Sequence, residues 1–161
     1  MYSNKIQVSD NLEKILVRYY SDVLEEIVVE TLWSEIINSK EGLYKIDNIP
    51  FYGPDFSSGD IVFAEYDEDE ERITYRKVVE HSGNSTIQII VLDENIDVME
   101  LRKEFENLGC ESEGMGNNYF VMEVPFNISY SIILKKLSQL TDDEKIGFAE
   151  PNISQKHSSE K

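Results

Sequence analysis

The chain has 161 residues, 40% of them hydrophobic, and carries 32 Asp and Glu against 15 Lys and Arg, a net charge of −17. A field of that sign reaches about 8 Å into physiological salt, repels nucleic acid and anionic membrane, and attracts basic partners. The single cysteine, Cys110, excludes an internal disulfide and any multi-cysteine zinc or iron–sulfur site.

Met1 to Asp10 is polar and has no basic region followed by an apolar stretch, so no secretory signal is read there and a cytoplasmic protein is expected. The longest apolar runs are strand-sized, far below the roughly 20 residues that span a bilayer. Lys14 to Tyr20 and Glu26 to Ile37 are rich in β-branched and aromatic residues, which predicts two strands paired through a turn near Ser21 and Asp22. Leu43 to Ile46 predicts a third strand. Pro50 and Gly53-Pro54 then break the ladder, because proline cannot donate to it. Ile61 to Tyr66 and Ile73 to Val79 flank the acidic run Asp67 to Glu71 as a hairpin. Five short strands at this spacing predict a small antiparallel β-barrel or curled sheet.

His81-Ser82-Gly83-Asn84 is turn-forming and marks the boundary between residues 1–83 and 84–154. Thr86 to Leu92 predicts a strand. Val98, Leu101, Phe105 and Leu108 then recur at helical spacing, between a cap near Asp97 and a stop at Gly109. Glu111 to Gly116 and Tyr119 to Val124 predict a hairpin closed off by Pro125. Ser129 caps a second predicted helix whose apolar stripe is Ile133, Leu137 and Leu140, and Ile146 to Ala149 is the last strand. The order β-α-β-β-α-β is that of a ferredoxin-like sandwich, so the fold class expected is α+β. Residues 155–161 are polar and aperiodic, and a flexible tail is expected there.

No residue set carries an evident chemistry. The run Asp67 to Glu71 lacks the glycine and the distant bidentate glutamate of a calcium loop. His81 and His157 have no paired-ligand spacing, and the cluster Glu80-His81-Ser82 cannot align a nucleophile, base and orienter from adjacent positions. Gly114-Met115-Gly116 lacks the lysine and the following helix of a phosphate loop. No cofactor, metal or catalytic residue is therefore assigned, and Cys110 reads as a small buried hydrophobe.

The segments Leu32-Trp33, Asn48-Ile49-Pro50-Phe51, Gly59-Asp60-Ile61-Val62, Val78-Val79-Glu80-His81-Ser82-Gly83-Asn84-Ser85-Thr86, Leu101, Leu108-Gly109-Cys110 and Val124-Pro125 together resemble an uncharacterised bacterial family, a domain of unknown function, over residues 12 to 150. The family pattern has a histidine near position 84, where this chain has Asn84. The resemblance implies no activity and no site residues. In charge and size the chain is also similar to acidic immunity proteins, which neutralise a basic toxin domain.

The functional expectation is a non-enzymatic protein that binds a basic protein partner, most concretely an immunity protein that blocks a toxin's cleft. Glu65, Asp67, Glu68, Asp69, Glu70 and Glu71 would steer the encounter, and Tyr52 and Phe56, in the predicted loop, would be exposed anchors. The alternatives are a small-molecule-binding regulatory domain of ferredoxin-like type and a hydrolase or metal enzyme built from scattered carboxylates.

Overall fold

The computed structural model describes residues 11–21, 25–52, 55–114 and 116–161. The expectations at Met1 to Asp10, Asp22, Gly53-Pro54 and Met115 lie outside the described residues. The fold is α+β, mostly antiparallel sheet with a few short helices.

Five strands form the first sheet: β1 (Leu12–Ser21), β2 (Glu26–Asn38), β3 (Leu43–Ile46), β4 (Ile61–Asp67) and β5 (Arg72–Glu80). They pair antiparallel in chain order, and alternation turns Ile15, Val17, Leu32, Tyr44, Ile46, Val62 and Ala64 into one core. The expected barrel is better described as a curled sheet brought edge to edge. β1 and β5 meet in parallel at one pair, Leu16 with Thr74, and do not share a continuous ladder.

The second sheet holds β6 (Ser85–Val91), β7 (Glu111–Gly114), β8 (Tyr119–Val124) and β9 (Ile146–Asn152), in the antiparallel order β7-β8-β6-β9. Helix α1 (Val98–Asn107) follows β6, and helix α2 (Tyr130–Asp142) follows β8. Ile87, Ile89, Phe120, Met122 and Val124 pack with Leu101, Phe105, Ile133 and Leu137 in the core of this unit. The Asp97 side chain accepts from Met99 N and Glu100 N and so starts α1, and Gly109, at φ 102°, lies just beyond its end. Ser129 stands at the N-cap of α2, but its hydroxyl bonds Ser131 instead of the backbone, so the position was legible and the capping bond is absent.

The expected flexible tail is instead helix α3 (Gln155–Ser159). It is held by His157, whose ring is fully buried. His157 Nε2 faces the carbonyl oxygens of Pro125 and Ile128, both at 3.1 Å, so that nitrogen carries the proton and donates. Nδ1 then accepts from Ser85 Oγ at 2.6 Å, and Ser85 Oγ accepts from Ser154 N at 2.9 Å. Periodicity could not reveal this, because a single buried polar ring does the anchoring.

Candidate functional site

The second sheet has two faces with different fates. One packs under the helices; the other meets Phe51 and Ser57 of the first unit through polar contacts. Tyr119 Oη donates to Phe51 O at 2.6 Å and Gln88 Nε2 donates to the same carbonyl at 3.1 Å. Ser57 Oγ bonds Thr86 Oγ1 at 2.7 Å and accepts from Asn152 Nδ2 at 2.7 Å. The buried Asp60 carboxylate accepts from Ser57 N, Ser82 N and Ser82 Oγ, and Asn84 bridges Ser58 O to Phe126 N. Ser82 and Asn84 therefore pin the junction, with Gly83 at φ 89° making the turn. Asn84 supplies one donor and one acceptor to this joint.

Replacing Tyr119 by phenylalanine removes one donor from a carbonyl that keeps Gln88, and is expected to cost about 0.5–1.5 kcal/mol. Urea unfolding of the two proteins measures it; an unchanged midpoint would show that the hydroxyl bond contributes nothing to the joint.

Glu123 is the exception in this polar seam. Alternation places it opposite the core face of β8, only 7% exposed, paired across the ladder with Glu111. Its Oε1 has no hydrogen-bond partner. Burial foremost, then the charge of Glu111, with smaller contributions from Asp60 and Glu113, pushes its carboxyl from 4.5 up to about 7, against the opposing hydrogen bond of Ser58. Glu113 is also shifted upward by burial, with Ile49 and Asn48 acting against it. No sequence argument singled out Glu123. The signal that could have found it is a lone carboxylate inside the apolar run Phe120 to Val124.

The predicted acidic knob stands on the β4–β5 hairpin, and half of it is internally paired. Glu70 bonds Arg18 at 2.7 Å, and Arg76 bonds Glu65 at 3.1 Å and Asp67 at 2.9 Å. The Asp67 side chain also accepts from Asp69 N and Glu70 N, which makes it the turn's organiser, and the Arg76 bond holds its carboxyl below the usual range. Glu68, Asp69 and Glu71 are exposed.

The two predicted anchors separate. Tyr52 is half-exposed and stacks on Tyr119, with ring centroids 5.8 Å apart and planes 7° apart. Its loop is fastened by Glu30, which accepts from Phe51 N and Tyr52 N. Phe56, expected to be exposed, is fully buried in the core of the curled sheet, its ring centroid 5.1 Å from that of Tyr75. A loop residue becomes core here because the loop folds back over the sheet interior.

A different apolar surface is exposed. On the outer face of β2, Ile27, Val29, Trp33 and Ile37, with Tyr20 opposite Ile27 on β1, are each between 44% and 60% exposed. Glu25 and Glu26 stand at one end of this row, Glu35 lies between Trp33 and Ile37, and Lys14 sits over the Trp33 ring at 5.0 Å. The strand's alternation puts Leu32 inside and Trp33 outside.

Among the described residues no helix is long and apolar enough to cross a membrane. No curated protein matches the chain. The fold is similar to the crystal structure of a hypothetical protein from Neisseria gonorrhoeae, with a TM-score of 0.76 and 25% identity, over 88% of this chain and 95% of that one. The model of a domain of unknown function, DUF4265, matches residues 30–148, a span that takes in Trp33, the Asp60 joint and Glu123. By that match the chain belongs to the DUF4265 family.

Proposed function

We propose that this protein is a non-enzymatic binding protein for a basic protein partner, most concretely a cytoplasmic immunity protein that covers the active cleft or partner surface of a toxin domain. The observation that carries the reading is the exposed row Tyr20, Ile27, Val29, Trp33 and Ile37 on a chain of net charge −17. The outer face of an antiparallel sheet is normally polar, and an apolar row broken only by Thr31 and Glu35 and rimmed by charge has the composition of an interface centre and its rim. Carboxylates at Glu25, Glu26 and Glu35, with the free acids of the hairpin, steer a cationic partner and set the salt dependence; Trp33 supplies the lasting affinity. We read the second unit as ferredoxin-like, which its connectivity and its strand order β7-β8-β6-β9 support.

The test is a pull-down with tagged protein from its native host at low and moderate salt, run beside Trp33→Ala. One basic protein should be recovered, less of it at higher salt, and the variant should bind it roughly 30-fold more weakly, the effect of an interface anchor. Equal recovery by wild type and Trp33→Ala would remove the β2 face from the interface. Recovery of no protein at either salt would remove the reading itself.

A further inference from the structure

Glu123 presents a problem that the chain does not solve by itself. A carboxylate this buried normally has each oxygen hydrogen-bonded, because an unmet acceptor carries its full desolvation cost. Here one oxygen is unmet, and the ionisable neighbours facing it are the carboxylates Glu111, Glu113 and Asp60. Asp60 is fully engaged with Ser57 and Ser82, and Glu113 with Ile49 and Asn48. Arg102 lowers Glu113 by its charge but directs its guanidinium to Ser112, at 2.8 Å from Nε to Oγ and 3.0 Å from Nη2 to the carbonyl. Apart from the Ser58 side chain, the site holds acceptors and negative charge in excess, and Glu123 Oε1 lacks a donor.

Its position makes a donor from outside possible. β7 is an edge strand of four residues, so one short strand separates Glu123 from solvent. Glu111, its partner across the ladder, is exposed at that edge. Among the described residues no group of three or more His, Cys, Asp or Glu is placed to hold a metal ion. A donor on a flexible stem fits a buried acceptor behind an edge strand, since an ammonium is a compact charge with three rotatable N–H groups.

We propose that Glu123 and Glu111 form a socket for one primary ammonium group, the end of a lysine side chain of the basic partner, entering over the β7 edge. This rests on the protein-binding reading and adds to it a second, polar contact on a different face from Trp33. The bound ammonium donates to Glu123 Oε1 and places one positive charge among the carboxylates, so Glu123 ionises fully when the site fills.

The experiment uses the full chain and n-butylammonium chloride as the probe. The side-chain carboxyl carbons of Glu are followed by NMR through a pH titration, with Glu123 assigned from Glu123→Gln, and with sodium chloride and tetramethylammonium chloride at equal ionic strength as controls. At a probe concentration of twice its dissociation constant the Glu123 midpoint should fall by about 0.5 unit relative to both controls. A midpoint that does not move, or that moves equally with tetramethylammonium, which has no N–H, overturns the socket. Either result is independent of the Trp33→Ala pull-down, so the socket can fail while the binding function stands, and the reverse.

Discussion

Glu123→Gln is expected to stabilise the protein at pH 8 by on the order of 3 kcal/mol, because each unit of carboxyl shift corresponds to about 1.4 kcal/mol and the shift runs from 4.5 to about 7. The folded carboxyl keeps its proton up to about pH 7, whereas in the unfolded chain it is lost near 4.5. Between those values the folded state binds more protons, so stability falls as pH rises through that window. Below it both states are protonated and there is no penalty; above it the penalty is complete. Glutamine has nearly the same shape, carries no charge, and offers an N–H to a carboxylate-rich surrounding. Urea midpoints from pH 4 to pH 8 should therefore decline less steeply with rising pH in the variant. A variant less stable than wild type at pH 8 would show that the ionised carboxylate is already satisfied in the free protein.

The second large effect concerns the opposite end of the chain. His157→Ala removes a fully buried ring and leaves Ser85 Oγ and the carbonyls of Pro125 and Ile128 without that partner, and it is expected to cost about 3–5 kcal/mol. Helix α3 should detach, so limited proteolysis should cut within residues 153–161 before it cuts elsewhere. Burial foremost holds the folded ring below its ordinary value of 6.5, with the charge of Lys156 acting in the same direction. The ring's contribution is complete above pH 6.5 and is lost as pH falls through the lower folded value, because the unfolded chain then binds the extra proton. Glu123 and His157 thus tilt the pH profile in opposite directions over an overlapping range. Removing either should expose the slope of the other, and a His157→Ala protein within 0.5 kcal/mol of wild type would refute the anchoring role.

Much of the architecture was legible because it depends on local rules. The period-two pattern of Glu26 to Asn38 and the helical spacing of Val98, Leu101 and Phe105 are properties of neighbours in sequence, and Asp97 marks one helix end by its side chain and Gly109 the other by a backbone that takes positive φ. Phe56, His157 and Glu123 were misplaced or missed for a common reason. Each has a role set by residues far away: Phe56 by Tyr75, His157 by Ser85 across 72 positions, Glu123 by Glu111 and the loop at Ser58. The acidic run shows the same limit. Its charge could be counted, but not that Arg18 pairs with Glu70, and Arg76 with both Glu65 and Asp67, from other strands.

The single-pair meeting of β1 with β5 bears on how the first unit breathes. A ring of strands is only as cooperative as its weakest ladder, and four of its five ladders run over several residues while the last has one registered pair. Opening there parts Leu16 from Thr74 and bares two strand edges without disturbing the other pairings. Backbone amides along that seam should exchange with solvent ahead of those between β1 and β2. The same two edges, once apart, are the place where two copies of the chain could trade strands, so the molecule's route to aggregation on heating lies at a seam beside its charged hairpin tip, where the Arg18–Glu70 pair is the clasp.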